Sequence, residues 1–411
     1  MTTIKRISVD ELQVGMYVAE LSNEWIPDTN ARKHGLIKRE SAIEQVRRFG
    51  IAHVYIDADK GADCANGILL EEVNEHFENQ LGTIERDFVS GESSIHSHSL
   101  GDVPLEEELE NAKEIHVDAL SLVSQVMNDV KMGGVVDLQP VEDMADSISE
   151  SIRRNQNALS CFTRMRHKDE YLMEHSFSVA VLMGVLARSM RVNGDDLHQM
   201  VTGALLHDIG KIQIDENILN KPGSLTPEEW EEMKRHVEYG EVVMEQTKDV
   251  PLMIKQMCQQ HHERLDGTGY PRGLSNEAIT LHGRMTAIVD VYDAITADRC
   301  YHKGMTPSEA MKKLVEWSGD HLDKDIVYQF IACMSIFPAG SLVELDNRQL
   351  AFVRESNLKK QRAPLVEIVW DIKNQSPLPK QLINLSLPSN SLKIVRAVDP
   401  NDFGIILGDR V

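Results

Sequence analysis

The sequence predicts a mainly α protein, with a helical bundle at its centre, a small α+β domain before it and a β-rich extension after it. Apolar residues recur at helical spacing through most of residues 65–338, whereas short apolar runs bounded by glycine, proline and turn residues lie near both ends. Aromatic residues make up only 5% of the chain, which favours helices with aliphatic cores over an aromatic-rich sandwich. With 411 residues, the chain can hold two or three domains.

Composition narrows the class of protein. The net charge of −22 disfavours a nucleic-acid polymer as a partner, because such binding needs cationic surface. The five cysteines are scattered, with no CxxC pair, which is typical of reduced thiols in the cytosol. The N-terminal residues lack the apolar core of a signal peptide, and the longest apolar run is too short to span a membrane. We therefore expect a cytoplasmic protein without a membrane partner.

The first two regions are predicted to lie outside any reaction centre. Residues 1–64 form the small α+β domain, with strands near 5–9, 16–19 and 53–56 and a helix at 41–49. Residues 65–165 are helical and acidic, interrupted by a linker at 89–104 whose composition indicates flexibility. Its long helices are a candidate interface for a homodimer, and the first domain is a candidate receiver of signals from partner proteins.

The last two regions contain the helical bundle and the β-rich extension. In residues 166–338, Thr226 and Pro227 mark a helix start, and a helix opening at Thr306 is expected to be the last. Residues 339–411 carry short strand patterns, and Pro377, Pro379 and Pro388 are interpreted as loop positions. The other helices of the bundle are expected at residues 174–190, 197–207, 251–263 and 279–297.

Histidine and aspartate residues interrupt the apolar helices of the bundle. Burying a charge costs several kcal/mol unless the group is paired or bound to a metal, so such a cluster predicts a metal site. When each adjacent pair is counted once, the candidates are separated by 25 to 32 residues, about one helix and one connection, which suits ligands that converge from several helices. The candidate ligands are His175, His207, Asp208, His236, His261, His262 and Asp290.

The number and type of these ligands favour a pair of ions. Seven nitrogen and oxygen ligands exceed the needs of one tetrahedral ion and suit two octahedral ions bridged by a carboxylate. Two such cations support hydrolysis of a phosphodiester. A lone histidine on a helix is more often a surface or core residue. It is the conjunction of HD after an apolar run, HH before DGTGYP, and Asp290 inside an apolar helix that favours metal binding.

Residues 200–302 resemble the HD-GYP domain, the branch of HD phosphohydrolases that cleaves cyclic dinucleotides. The matching segments are HDIGK at 207–211, HHERLDGTGYP at 261–271 and the stretch from Arg284 to Tyr301. Residues 4–63 resemble the domain of unknown function that often precedes HD-GYP domains. The resemblance implies an HD-type helical bundle as the catalytic domain.

The resemblance also implies roles for individual residues. Asp208 would bridge the metal ions and Lys211 would face a phosphate, so these two are the candidate catalytic residues. Tyr270 and Gly269 would line the substrate site, and Arg299 would contact a phosphate or guanine. A structural role for Arg299 near Asp293 is the alternative.

This chain departs from the family pattern at two positions. Members with three metals carry Glu four residues before the first ligand histidine, where this chain has Tyr171, so we expect two divalent ions. Glu174 is expected to point elsewhere on the helix. A basic residue is common three positions after Arg299, where this chain has His302 followed by Lys303, which becomes a further candidate substrate contact.

The expected function is a metal-dependent phosphodiesterase that opens the ring of a cyclic dinucleotide by attack of a metal-held hydroxide, giving the linear dinucleotide. Cyclic di-GMP is the first candidate, and the departure after Arg299 leaves 3'3'-cyclic GMP-AMP open. Iron or manganese is favoured, while magnesium, nickel and zinc stay open. The alternative function is a sensor that binds the dinucleotide with little turnover. Signalling partners could dock on the first domain or on the GYP loop.

Overall fold

A computed structural model describes residues 3–21, 35–48, 53–90, 102–164, 171–221, 223, 225–297 and 304–405. The chain divides into two compact units, one formed by Met1–Thr83 with Glu216–Glu232 and the other by Ile84–Asp215 with Met233–Val411. Within the described ranges, every helix is too short or too polar to cross a bilayer. The domain boundaries drawn from the sequence stay a prediction.

The first unit contains a five-stranded antiparallel sheet with strand order β3-β2-β4-β1-β5. The three strands expected from the sequence are present, and two two-residue strands extend the sheet at its edges. Ile7, Ile43, Val54 and Ile56 lie in its core, so one face of α1 packs on the sheet. The elements are β1 (Ile4–Ser8), β2 (Tyr17–Leu21), β3 (Gly35–Leu36), α1 (Glu40–Arg48), β4 (His53–Asp57) and β5 (Ile68–Leu69).

The remaining helices are close to those that the sequence predicts. Thr226 caps the helix that begins at Pro227: its hydroxyl accepts the Glu229 amide, and the Glu229 carboxylate accepts the Thr226 amide. The helices are α2 (Leu70–Ser90), α3 (Leu105–Lys131), α4 (Leu138–Phe162), α5 (Tyr171–Ser189), α6 (Asp195–Leu206), α7 (Glu216–Leu219), α8 (Pro227–Lys234), α9 (His236–Gln246), α10 (Leu252–Gln260), α11 (Leu281–Thr296), α12 (Pro307–Trp317) and α13 (Lys324–Met334).

Two central helices, α5 and α11, are buried on nearly all sides. From Glu174 to Ala187, every residue of α5 is buried, and Met285 to Asp293 of α11 are buried as well. Helix α5 packs against α4, α6 and α11, and α11 packs against α10. A helix that is apolar all round belongs in the middle of a bundle, so polar side chains on α5 and α11 point into the protein interior.

The C-terminal region forms a second antiparallel sheet of five strands, with order β10-β6-β7-β8-β9. The expectation that Pro377 and Pro379 lie in a loop is wrong, because both lie in β9. Since β9 is an edge strand, a missing amide proton is tolerated there. The strands are β6 (Leu342–Leu345), β7 (Gln349–Glu355), β8 (Leu365–Asp371), β9 (Ser376–Asn384) and β10 (Ile394–Val398).

The expectation that the helix opening at Thr306 is the last one is also wrong. A further helix, α13, follows it, and Asp323 caps its start by accepting the amides of Asp325 and Ile326. The segment Ile331–Cys333 is fully buried, and α13 packs against α5. A short apolar run is compatible with a buried strand as well as with a helix, so periodicity alone did not predict α13.

Candidate metal centre

Helix ends and buried helix faces bring the seven candidate ligands together. His207 follows the last residue of α6, and Asp208 comes next. His236 is the first residue of α9, and the paired histidines follow α10 directly. His175 and Asp290 lie inside the two buried helices, α5 and α11.

Asp208 lies at the centre of this cluster, and its two carboxylate oxygens face different histidines. Oδ1 lies 3.3 Å from Nε2 of His236 and 3.6 Å from Nε2 of His261. Oδ2 lies 3.2 Å from Nε2 of His175 and 3.5 Å from Nε2 of His207. One carboxylate is therefore shared by two groups of donor atoms, as a bridging ligand requires.

Asp290 provides a second carboxylate to the cluster. Its Oδ1 lies 3.1 Å from Nε2 of His175 and 3.8 Å from Nε2 of His207, and its Oδ2 lies 3.8 Å from Nδ1 of His262. Asp290 is only 5% exposed. A buried carboxylate surrounded by imidazoles gives a donor set of the kind that holds divalent transition metals.

Outer hydrogen bonds orient four of the imidazoles so that Nε2 faces inward. Nδ1 donates to the Ala204 carbonyl in His207 (2.7 Å), to the Met233 carbonyl in His236 (2.8 Å) and to the Cys258 carbonyl in His261 (2.8 Å). In His175, Nδ1 pairs with a carboxylate oxygen of Asp293 at 2.6 Å. Such partners fix the tautomer and leave Nε2 as the lone-pair donor.

Several nitrogen and oxygen lone pairs in the cluster have no hydrogen-bond partner, which indicates that the cluster fits bound cations. Nε2 of His236 and Nε2 of His261 lie 3.3 Å apart although each ring already uses its Nδ1 proton elsewhere, so two lone pairs face each other. Among the described residues, Nε2 of His207, Oδ1 of Asp208 and Nδ1 of His262 are buried without a hydrogen-bond partner. Buried polar atoms are rarely left unpaired, and divalent cations at this cluster would satisfy all of them.

The electrostatics of the cluster favour the metal-binding protonation states. Burial alone would raise the pKa of the Asp208 carboxyl, but Lys211 and His207 outweigh burial and hold this pKa well below its ordinary value. Burial lowers the pKa of His236 to about 3. Burial, reinforced by His261, also holds the pKa of His262 well below its ordinary value. Ionised carboxylates and neutral imidazoles are the forms that bind metals.

His175 differs from the other histidines in its charge environment. Burial opposes its protonation, but Tyr171 and the carboxylates of Asp208, Asp290 and Asp293 raise its pKa well above the ordinary value. The surrounding negative charge therefore attracts positive charge to this side of the cluster. A metal cation supplies such charge without a proton.

Comparison with known proteins identifies the family of this chain. A comparison with protein families matches residues 146–326 to an HD domain and residues 4–141 to a domain of unknown function, DUF3391. The chain is 34% identical to a cyclic di-GMP phosphodiesterase of Pseudomonas aeruginosa, over 95% of this chain and 91% of the relative. This chain belongs to the HD-GYP family. The match over nearly the whole of both chains includes the small first domain and the C-terminal strands.

Other HD-GYP relatives match a smaller part of the chain. A 3'3'-cGAMP-specific phosphodiesterase of Vibrio cholerae is 33% identical over 42% of this chain and 37% of its own length. A cyclic di-GMP phosphodiesterase of Thermotoga maritima is 35% identical over 40% of this chain and 45% of its own length. Over the residues that they match, relatives named for either dinucleotide have similar percentage identity to this chain, but the match that covers 95% of it is to a relative named for cyclic di-GMP.

The HD-GYP turn, residues 267–273, is hydrogen-bonded to the segment that contains the candidate ligands His261 and His262. The Glu263 carboxylate accepts the backbone amides of Arg272 at 2.8 Å and Leu274 at 2.9 Å, so it closes the turn into a ring. The Tyr270 amide donates to the carbonyl of His262 at 3.1 Å. These bonds hold the aromatic ring of Tyr270 against the His262 ring, with centroids 4.7 Å apart.

Gly269 has a packing role within this turn. A Cβ atom at this position would lie 2.4 Å from the Arg264 nitrogen and 2.6 Å from the His262 carbonyl oxygen, both of them backbone atoms. Only glycine permits so close an approach of two backbone segments. The predicted contact of Gly269 with substrate stays a prediction.

Two further glycines place His236 beside Asp208. A Cβ on Gly210 would lie 1.9 Å from the His236 carbonyl oxygen and 2.4 Å from the Gly240 nitrogen. A Cβ on Gly240 would lie 2.6 Å from Sγ of Cys258. The turn after Asp208 and helix α9 are therefore in backbone contact. Cys258 fills this interface as a buried thiol, and burial raises its pKa.

Among the remaining predicted site residues, some lie within the described residues and others lie outside them. The Lys211 ammonium forms an ion pair with the bridging carboxylate of Asp208, and its side chain is 16% exposed. Tyr270 borders the cluster, and its predicted contact with substrate stays a prediction. Arg299 and Lys303 lie outside the described residues, so their contacts with substrate stay predictions.

Two neighbours of the cluster make contacts that the sequence did not predict. Asp293 orients His175, and its position one turn after Asp290 on α11 was the available signal. Tyr171 stacks on the His175 ring with centroids 5.9 Å apart and an interplanar angle of 8°. Glu174 points away from the cluster, as expected, and its carboxylate pairs with His116 of α3 at 3.1 Å.

Proposed function

We propose that this chain is a metal-dependent phosphodiesterase that opens a cyclic dinucleotide to the linear dinucleotide. Cyclic di-GMP is the first candidate substrate, and 3'3'-cyclic GMP-AMP is the second. The observation that carries the proposal is the shared position of Asp208, whose two oxygens face two separate groups of imidazoles. The names of the HD-GYP relatives support the substrate class.

We propose two divalent ions, with iron or manganese favoured by the mixed imidazole and carboxylate donors. When bound, such a pair would activate water as the nucleophile and stabilise negative charge on the phosphate. The first position would be held by Asp208, His236, His261 and His262. The second would be held by His175, His207 and Asp208, with Asp290 beside them.

Side chains around the metal ligands support this chemistry. The Lys211 ammonium keeps Asp208 ionised, so both oxygens stay available as donors. Tyr270 provides an aromatic wall beside His262, suited to a base or a ribose of the substrate. Tyr171 covers His175 at the position where relatives with three metals carry Glu, which supports a count of two ions. For a two-ion site we expect the reaction to end at the linear product.

The test removes ligands one at a time. We expect Asp208→Ala and His207→Ala to lose metal and to lower kcat at least 100-fold, because each removes a donor from the cluster. His198→Ala is the matched control: His198 lies on the same helix as the residues before His207 but pairs with Asp146 at 2.6 Å, away from the cluster. Its kcat should stay within two-fold.

Two results would overturn the proposal. Substantial turnover by Asp208→Ala in chelator-treated buffer would contradict metal-dependent hydrolysis. Metal-loaded wild-type protein that binds a cyclic dinucleotide tightly without cleaving it would identify a sensor. Homodimerisation through residues 65–165 and signalling through the first domain stay predictions.

A further inference from the structure

We infer that His116 of α3 is a positioning residue that holds His175 in place at the candidate metal centre. The inference rests on the proposed function. It concerns a residue outside the HD domain, because α3 lies before residues 146–326, which match that domain. The contacts of His116 with α5, on both sides of His175, carry the inference.

His116 contacts the turn of α5 that contains His175. Its Nε2 atom lies 3.1 Å from Oε2 of Glu174, within hydrogen-bond distance, and Glu174 is fully buried. Its ring also contacts the ring of Phe177, with centroids 4.8 Å apart, and Phe177 is fully buried as well. One contact is thus to the residue directly before His175, and the other is to the residue two positions after it. His116 therefore constrains this helical turn at both ends.

This geometry separates the face of α5 that α3 contacts from the face that bears His175. Glu174 and Phe177 are three residues apart, so they share one side of the helix. His175 lies about 100° further around the helix than Glu174. Its Nε2 atom lies 3.2 Å from Oδ2 of Asp208 and 3.1 Å from Oδ1 of Asp290. A small rotation of α5 against α3 would displace this atom, and metal–ligand distances tolerate only roughly 0.2 Å.

The Glu174 carboxylate needs the hydrogen-bond donor that His116 supplies. Among the described residues, its Oε1 atom is buried without a hydrogen-bond partner. The bond from His116 to Oε2 therefore offsets part of the cost of burying this carboxylate. If that bond were lost, the carboxylate would be driven toward water, and this turn of α5 would move with it.

Helix α3 also packs beside the other half of the cluster. It contacts α4, α5 and the short 3-10 helix Ile209–Gln213, which follows Asp208 directly. The His116 ring contacts Phe162 of α4 as well, with centroids 5.3 Å apart. Because α3 belongs to the range 4–141 that matches DUF3391, a side chain from this family region would act on the proposed metal centre.

The experiment compares His116→Leu, His116→Gln and the double variant His116→Leu/Glu174→Met in the full chain. Leucine removes the hydrogen-bond donor, whereas a glutamine amide can still donate to Glu174. The double variant removes both partners, so no unpaired carboxylate stays buried and little stability should be lost. His198→Leu is the matched control, because His198 also pairs with a carboxylate of another helix, that of Asp146, at 2.6 Å, but Asp146 is exposed.

For each protein, manganese affinity and thermal unfolding are measured on the metal-free form, and kcat and KM for cyclic di-GMP are measured after metal loading. For His116→Leu, we expect about ten-fold weaker binding of one manganese ion, the one proposed to be held by His175, His207 and Asp208. The affinity for the other ion should change less than two-fold. We expect kcat to fall about ten-fold and KM to change less than two-fold, because the metal centre is displaced and the substrate contacts are not.

The other variants separate positioning from stability. His116→Gln should bind manganese within about three-fold of the wild type, and His198→Leu should match the wild type. The double variant should unfold near the wild-type temperature and still show the weakened binding of one ion. If His116→Leu does not fold, the double variant supplies the same comparison.

Wild-type manganese affinity in the double variant would overturn the inference, because the contact would then serve stability alone. Equal weakening of both ions would also overturn it. These outcomes differ from failure of the proposed function. Wild-type protein that binds manganese but does not cleave cyclic di-GMP would contradict hydrolysis and still allow the affinity comparison. Wild-type protein that binds no manganese would contradict both.

Discussion

Replacing Gly210 by alanine should move His236 away from Asp208 in the cluster of candidate metal ligands. The added Cβ would lie 1.9 Å from the His236 carbonyl oxygen and 2.4 Å from the Gly240 nitrogen, whereas real Cβ contacts are longer than 3.0 Å. The turn after Asp208 and the start of α9 must therefore move apart by more than 1 Å. Metal–ligand distances tolerate roughly 0.2 Å, so His236 and Asp208 could no longer bind one ion together.

The magnitude follows from this displacement. We expect kcat/KM for cyclic di-GMP to fall about 100-fold, since a shift of about 1 Å at a reacting centre has an effect of that order. Overpacking should lower the free energy of unfolding by ~1–3 kcal/mol. The assay combines metal content, steady-state kinetics and thermal unfolding of the purified variant.

Gly82→Ala is the matched control for this change. A Cβ at Gly82 meets nothing within 4 Å, and Gly82 lies inside helix α2, where alanine is favoured by about 1 kcal/mol. The control should keep full activity and unfold at the same or a higher temperature. If Gly210→Ala kept its metal and an activity within two-fold of the wild type, close backbone packing would not be what positions His236.

Three other changes test separate parts of the structure. Asp293→Ala removes the partner of the His175 imidazole and should weaken metal affinity about 10- to 100-fold, measured by manganese titration; unchanged affinity would rule out this orienting role. Tyr171→Glu should admit a third ion by elemental analysis, and a count that stays at two would contradict the role of Tyr171. Glu108→Gln should destabilise the protein by ~1–3 kcal/mol at pH 7. Burial opposes ionisation of the Glu108 carboxyl, but the ion pair with Arg154 outweighs burial and lowers the pKa of Glu108. The stabilisation that this ion pair contributes is therefore lost as the pH falls below about 4.5 and through the native pKa. Urea unfolding should therefore show a smaller deficit in acid, and a deficit independent of pH would argue against the ion pair.

The sequence indicated which histidines and aspartates lie close together because its signals are local, and their role as metal ligands stays a prediction. His207 and Asp208 interrupt an apolar helix, and the paired histidines precede a glycine-rich turn, so each motif indicates its own chemistry. Helical spacing then predicts which side chains face the interior. In the structure, these side chains face the interior and converge on Asp208, as the spacing predicts.

Features that depend on contacts between distant segments were not predictable. Asp293 orients His175 across a gap of 118 residues. Its spacing from Asp290 indicates that it lies near the cluster, but nothing in the sequence indicates which histidine it contacts. His116 contacts Glu174 because α3 packs against α5, which only the fold determines. Pro377 was wrongly predicted to lie in a loop for a similar reason. Proline is tolerated in a strand at the edge of a sheet, and the sequence does not indicate which strand lies at the edge.

The most direct test of the central claim is metal content measured together with turnover of cyclic di-GMP and 3'3'-cyclic GMP-AMP. The protein would be purified without oxygen and reconstituted with iron or manganese. Our account predicts two ions per chain, turnover of at least one dinucleotide and loss of turnover when a chelator removes the ions. Turnover that persists after complete removal of the metal would contradict it.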